Sequence, residues 1–530
     1  MYKFLNFPKN IYLIILLFFS FLINYYYGSI GVLPQDTFAY FDTSYRILNG
    51  AVPFKDYWTV SGPFIDYFQA AIFYIFGINW NSYILNGCII NCGITILFYI
   101  VLINFNLKKT LALFYSLSFS ILANPSMGAP FTDHYSAFFA LAGIFFFLLG
   151  VKSQKKIYWF LVPIFFFIGF LSKQSPSSYL LITIIILSIF YLFYFKNFIF
   201  LNYFFLSSVF CFLFLFFYLI LNDIQISQFL DQYFFYPQTI ANERLKSFNP
   251  DIKNIFLNYK FIYLFLLILI FLTVFNISNN RTKNRDEKQK IINNLAVVML
   301  TISLVFHQII TKNFIFIFFV IPLIGGFIHS NINHKDRYKE YLSFFLIIAT
   351  LAISTKYHLR FNENRKMLNL EKVNLSKAVD SSLLHPMLKG LKWITKQNPE
   401  NPIEEINLLK DTALKIKKDK SKKMIMTGYL FFSVILDEDL NNPSRWPSLG
   451  DASNPNLDNK FHVKYKDFIK NLIINKKIET IYSARENFDD IFTIIFEKNC
   501  IKTEEINDFF LKHDIKNCLN NKNEYSRTSS

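Results

Sequence analysis

Between residues 11 and 355 the chain is a succession of apolar runs, most of them long enough to cross a lipid bilayer. A span needs about 20 mostly apolar residues, because every backbone polar group must find its partner inside the helix once water is gone. Eleven stretches are predicted as spans: 11–27, 82–104, 110–124, 135–151, 157–171, 179–195, 198–221, 258–276, 291–310, 314–330 and 341–355. Segments 28–81 and 222–257 are too polar to cross and are read as loops, although 64–76 is apolar enough to lie flat at an interface. The predicted architecture is a polytopic α-helical membrane body over 1–355, followed by a small soluble α/β domain over 356–530. The first run, LIILLFFSFLINYYY, has no small-residue cleavage site after it and reads as an uncleaved anchor rather than a signal peptide.

Charge divides the same way. Residues 1–355 hold 13 Asp and Glu against 24 Lys and Arg, whereas 356–530 hold 24 against 30. With 53% hydrophobic residues the chain is not disordered, and 17% charged residues is low for one soluble enzyme, where about 25% is usual. The net charge of +17 would suggest nucleic acid in a soluble protein, but here the bases sort by membrane side. With the N-terminus inside, 16 Lys and Arg of the body fall in cytoplasmic segments (Lys3, Lys9, Lys108, Lys109, Lys152, Lys155, Lys156, Lys196, five between Arg281 and Lys290, then Lys335, Arg337 and Lys339). Only 8 fall on the other side, in much longer loops. This bias predicts a cytoplasmic N-terminus, and the membrane expected is a bacterial inner membrane. Eleven spans then put 356–530 in the periplasm, and nucleic acid is not an expected partner.

The acids of the body are placed tellingly. Asp286, Glu287, Asp336 and Glu340 lie among basic cytoplasmic residues, and the other nine (Asp36, Asp42, Asp56, Asp66, Asp133, Asp223, Asp231, Glu243 and Asp251) face outward. An ion-coupled transporter usually carries ionisable groups near the midplane, and no acid is predicted there. The chemistry is expected at the external surface, in loops 28–81, 125–134, 172–178 and 222–257.

The first of these loops contains Asp36 shortly after the first span, then Tyr40, Asn49-Gly50, Pro53-Phe54 with Asp56, Gly62-Pro63, and a phenylalanine-rich segment ending at Gly77. This pattern resembles the first external loop of GT-C fold membrane glycosyltransferases, a group that includes protein O-mannosyltransferases and the aminoarabinose transferase acting on lipid A. The resemblance implies a polyprenyl-phosphate-linked sugar as donor, an envelope lipid, glycan or protein as acceptor, and the lipid bilayer as the medium. It implies that Asp36 acts as general base or positions the acceptor, with Asp42 the runner-up. A carboxylate standing just above a first span is where a lipid-carried sugar arrives. Asp36 also reads as a helix N-cap, and the two roles are compatible. Many relatives carry two adjacent acids where this chain has Gln35-Asp36. That departure counts against a role needing a paired carboxylate, such as metal binding; a divalent cation stays open as a cofactor, with no metal ligands assigned.

Asp133 and His134 precede the fourth span in ANPSMGAPFTDHYSAFF, where relatives have a second acid. Asp133 reads as that acid or as a cap, and His134 as a phosphate donor or a structural residue. Lys173 and Gln174 lie in the turn GFLSKQSPSSYL, where an ammonium is costly unless it snorkels or meets an anion such as a carrier phosphate. Arg46, Asp56 and Arg244 complete the expected substrate-binding set. The loop 222–257 reads as a partly helical lid whose Tyr233, Phe234, Phe235 and Tyr236 stack on sugar or form an interfacial belt.

No phosphate-binding glycine loop, HExxH motif or zinc-spaced Cys/His cluster occurs. Asp437-Glu438-Asp439 matches the DxD of metal-dependent sugar transferases, but an ordinary charged surface matches three residues as easily. In the last third, 384–397, 463–475 and 503–512 read as helices, and 423–432 and 476–484 as strands. Asn442-Pro443-Ser444-Arg445-Trp446-Pro447 reads as an exposed loop, either reaching toward the acceptor or merely lying on the surface. Cys500 and Cys518 are expected to form a disulfide in an oxidising compartment, and Cys88, Cys92 and Cys211 to be buried thiols. Two other functions fit the span count: a flippase or transporter for lipid-linked sugars, and an O-antigen-type ligase or polymerase.

Overall fold

The chain has 530 residues, and its computed structural model describes residues 11–248, 251–278, 285–312, 316–332, 337–364, 366, 370–371, 373–447, 452–485 and 500–520. Lys3, Lys9, Arg281, Lys283 and Lys335, which enter the orientation rule, lie outside these segments, as does the start of the predicted span 314–330.

Each of the eleven predicted spans overlaps a helix. Eight helices are long and apolar enough to cross a membrane: Ile11–Gly28, Trp80–Asn104, Thr132–Ser153, Ser177–Phe195, Ile199–Leu221, Ile255–Phe275, Glu287–Thr311 and Glu340–Glu363. Lys109–Ala123, Lys156–Ser172 and Val320–Asn331 are apolar but shorter. At 1.5 Å per residue the last reaches about 18 Å, against a hydrocarbon core of about 30 Å. Among the described residues eight helices meet the length of a span, and the other three predicted spans fall on shorter apolar helices.

Two compact units make up the chain: Met1–Ser29, Ile84–Tyr218 and Arg244–Lys372 form one, and Ile30–Tyr83, Leu219–Glu243 and Val373–Ser530 the other. The boundary read from composition at 355 differs from this, because both long loops group with the C-terminal third rather than with the apolar helices.

In the first unit the helix Thr132–Ser153 is almost wholly buried. Its middle, AFFALAGIFFFLLG, is apolar all the way round and has no polar face to present. Phe138, Phe145 and Leu148 pack there with Phe98, Phe119, Phe319 and Phe327 in a single core. The helix Ile199–Leu221 is the opposite case, with Phe205, Phe212, Phe214 and Phe217 exposed. Large apolar side chains displayed in this density suit a surface that meets lipid rather than water. Cys88, Cys92 and Cys211 are buried and unbridged.

The second unit is built on a four-stranded sheet. A short antiparallel pair, β1 (Val379–Asp380) and β2 (Lys392–Trp393), precedes it. The sheet itself comprises β3 (Lys423–Met426), β4 (Thr480–Ala484), β5 (Lys502–Glu505) and β6 (Phe510–Asp514) in the order β3-β4-β6-β5. Strands β3 and β4 are parallel and joined through the helix His462–Lys476, and the other pairings are antiparallel. Met424, Met426 and Ile481 pack with Tyr465, Ile469 and Ile473, and Trp58 and Tyr236 from the two loops enter the same core.

Three local expectations change. The segment 384–397 holds a 3-10 turn at Pro386–Leu388 and strand β2 instead of a helix, because Pro386 and Gly390 break the run. The segment 503–512 is the β5–β6 hairpin rather than a helix. An additional helix, Pro402–Lys418, carries Pro at its start, Glu404 and Glu405 in its first turn and three Lys in its last turn, each favourable to the helix dipole. Cys500 and Cys518 are disulfide-bonded, with Cα atoms 5.0 Å apart.

Candidate functional site

In the second unit the first loop enters through the short helix Pro34–Thr37, where the Leu33 N–H donates to Thr37 Oγ1 at 2.9 Å. Gly428 lets this turn come close: a Cβ there would meet Gln35 Cγ at 2.7 Å and Pro34 Cβ at 3.4 Å. Asp36 is partly exposed, and its Oδ1 accepts from the Trp446 indole Nε1 at 3.0 Å. The cap role is not adopted, since the next helix, Ala39–Leu48, has Phe38 at its N-cap.

That helix is buried from Ala39 to Arg46. Arg46, 1% exposed, donates from Nε to Asp439 at 2.8 Å and from Nη1 to the Asn442 carbonyl at 2.6 Å. Asp42 is equally buried; burial pushes its carboxyl up to about 6, against the pull of the Arg46 guanidinium. Both were expected to touch substrate, and both instead lie in the interior. A denser knot lies alongside. Asp66 receives Thr43 Oγ1 and a two-pronged Arg445, whose Nη1 donates to Ser61 Oγ and whose guanidinium lies 4.9 Å over the Tyr40 ring. Asp66 and Arg445 are both 0% exposed. The loop 442–447 is therefore not an exposed loop: Arg445 is interior, and the Trp58 N–H donates to the Pro443 carbonyl at 2.7 Å.

Asp56 also serves the loop itself, accepting from the Val52 N–H at 2.8 Å and pairing with Lys476 at 3.3 Å. Phe54 has φ of 71°, and its carbonyl accepts from Gln228 and Gln232 on the second long loop. Tyr233 and Tyr236 are buried, so neither offers a stacking platform, while Phe235 is exposed.

The first unit brings together Asp133 and Lys173, Oδ2 to Nζ at 2.8 Å, with Asp133 buried and the Lys173 side chain 30% exposed. Two features set this geometry. Gly128, at φ of 67°, packs its turn against the first helix so closely that a Cβ would meet Gly28 N at 2.1 Å. Ser136 Oγ donates to the Lys173 carbonyl at 2.9 Å and accepts from the Ser177 N–H at 3.1 Å, tying the turn to the Asp133 helix. Asp133 lies in the first turn of that helix, whose N-cap is Phe131. Gln174 is partly exposed, and its carbonyl accepts from Ser177 Oγ at 3.1 Å. Arg244 is exposed on the helix Tyr236–Lys246.

His134 is fully buried among Phe131, Phe138 and Phe316, and among the described residues neither ring nitrogen has a partner. That is an aromatic packing position, not a phosphate donor's. His307 takes the polar place instead: its Nε2 lies 3.1 Å from Ser175 Oγ. Sequence reasoning passed over His307; the available signal was a His-Gln pair at the C-terminal end of an otherwise apolar run.

Among the described residues no three His, Cys, Asp or Glu side chains converge as metal ligands would. Asp437, Glu438 and Asp439 are engaged by Tyr45, Lys423 and Arg46 respectively. These residues do not fit a divalent cation, so no role is assigned to one.

No family model matches the chain, and no curated protein sequence matches it either. Among solved structures it is similar to the archaeal oligosaccharyltransferase AglB from Archaeoglobus fulgidus, in complex with an inhibitory peptide and a dolichol-phosphate. That likeness has a TM-score of 0.43 at 11% identity and covers 90% of this chain and 70% of the other.

Proposed function

We propose that the chain is an integral membrane glycosyltransferase of GT-C type, transferring a sugar from a polyprenyl-phosphate carrier to a lipid, glycan or protein acceptor at the external face of a bacterial inner membrane. The observation that carries this reading is the sorting of the first loop's acids. Asp42 and Asp66 are buried in the loop's own network, whereas Asp36 stays partly exposed and is oriented by Trp446. A general base has to be reachable by the hydroxyl it deprotonates.

In this mechanism Asp36 takes the proton of the acceptor hydroxyl while that oxygen bonds to the anomeric carbon. The bond from that carbon to the carrier phosphate oxygen breaks, and the phosphate leaves as an anion. Separately, within the first unit, Asp133 holds the Lys173 ammonium, a cation suited to an anionic group. Charge placed ahead of time where charge develops is the largest lever available to this chemistry. Asp133 is then a positioning residue for Lys173.

The test is glycan analysis of the envelope with and without the gene, together with a transfer assay using purified full-length chain and a labelled polyprenyl-phosphate sugar. The reading expects one sugar to be missing without the gene and label to leave the carrier in the assay. Movement of intact labelled carrier across vesicles, with the glycosidic bond preserved, would replace the enzyme by a flippase.

A further inference from the structure

Lys173 stands in a turn that helical hydrogen bonding does not hold. The helix Lys156–Ser172 ends there, with Lys173 extended at φ of −161° and ψ of 145°, and Ser175 is extended again at φ of −116° and ψ of 141°. Backbone groups at helix ends have no intrahelical partners, so a turn between two helices is fixed by whatever side chains reach it. Ser136 Oγ and Ser177 Oγ both donate to the Lys173 carbonyl, at 2.9 Å and 3.0 Å, which secures the start of the turn. The other tie comes from a different helix. His307, one turn before the end of Arg285–Thr311, brings its Nε2 to 3.1 Å from Ser175 Oγ.

Histidine is a costly residue at this place. It is 0% exposed, and its ring stands edge-on to Tyr179 and Phe316, with centroids 5.4 Å and 5.9 Å away. Among the described residues its Nδ1 has no partner. A buried nitrogen left unpaired destabilises the fold, whereas Leu would meet the same two rings without that cost. Packing therefore does not account for an imidazole. What the imidazole adds is its hydrogen bond to Ser175.

We propose that His307 is a positioning residue: through Ser175 it holds the turn that carries Lys173, and so keeps the ammonium where Asp133 fixes it. Being fully buried, His307 acts through the turn and not on the donor. Its effect on transfer rests on the role given to Lys173 above, while its hold on the turn does not. An ammonium that stabilises developing charge works only if it is in place beforehand, and groups behind it supply that placement.

The test compares full-length parent, His307→Leu, His307→Gln and Ser175→Ala chains by two measurements. One is transfer from a labelled polyprenyl-phosphate sugar, and the other is the rate at which acetic anhydride acetylates Lys173, read by peptide mass spectrometry. H307L and S175A each lower kcat roughly tenfold, the worth of one hydrogen bond, with KM little changed. Both raise Lys173 acetylation by a similar factor, because the amine leaves Asp133 more often. H307Q, whose amide N–H replaces Nε2, stays close to the parent in both. S175A removes one hydroxyl and carries the test if H307L fails to fold. Parental acetylation of Lys173 in S175A overturns the proposal, as does an H307Q chain that behaves like H307L. Faster acetylation in S175A with no transfer by any chain, the parent included, upholds the hold on the turn and overturns the transferase reading instead.

Discussion

Burial separates Asp36 from Asp42, because the first accepts one indole N–H at a partly exposed position while the second is sealed beside Arg46. The folded chain holds the Asp42 proton up to about pH 6, whereas the unfolded chain releases it near the ordinary value of 3.8. Between those limits the folded state binds more protons, so stability falls as pH rises through the window. Asp42→Asn should abolish that fall and be more stable above pH 6 by on the order of 3 kcal/mol, as read from denaturation midpoints across the window. A parallel pH dependence in parent and variant would contradict the assignment. Lys173→Met should lower transfer by roughly 10²–10³-fold, the usual cost of one preorganised donor. It also leaves Asp133 buried and unpaired, so D133N/K173M should regain stability without regaining transfer. At this scale the sequence displayed which acids exist but not which are solvated. Nothing local to Arg46, Asp42 or His134 announces that each is interior, since their partners come from Asp439, Asn442 and Phe316.

Elements show the same division between near and distant causes. The helix His462–Lys476 and strand β4 were legible because their own periodicity specifies them. The hairpin β5–β6 was not: Lys502-Thr503-Glu504-Glu505 has the composition of a helix, and only pairing to β6, itself paired to β4, makes it a strand. The helix Pro402–Lys418 was readable from its end charges and was passed over. The segment around Arg445 is the element whose role depends most on distant residues. Arg445→Ala would strand Asp66 at 0% exposure, an uncompensated buried charge worth about 3–5 kcal/mol. Replacing both partners, D66L/R445M, should restore most of the thermal stability, because apolar residues of similar volume avoid the desolvation cost. If R445A melts like the parent, the knot is not what holds the first loop.

For the molecule as a whole, the apolar runs disclosed the helical body and the uneven charge disclosed a polar last third, yet the long loops 30–83 and 219–243 belong with that third. Composition is a running average along the chain and has no means of registering that Trp58 and Tyr236 join the core of a sheet centred near residue 481. Eight long helices and three shorter ones, Lys109–Ala123, Lys156–Ser172 and Val320–Asn331, would together give an odd number of crossings. A phosphatase fused at the C-terminus should then be active outside the membrane and one fused after Gln154 inactive; the reverse pattern would invert the proposed orientation. The central claim is that Asp36, and not its buried neighbours, is the base for sugar transfer. The most direct measurement compares transfer of a labelled sugar from its polyprenyl-phosphate carrier by the parent, Asp36→Asn and Asp42→Asn chains, each shown to melt cooperatively. A loss of about 10²–10⁴-fold is expected for D36N, the range that general base catalysis supplies, and near-parental transfer for D42N. Near-parental transfer by D36N would contradict it.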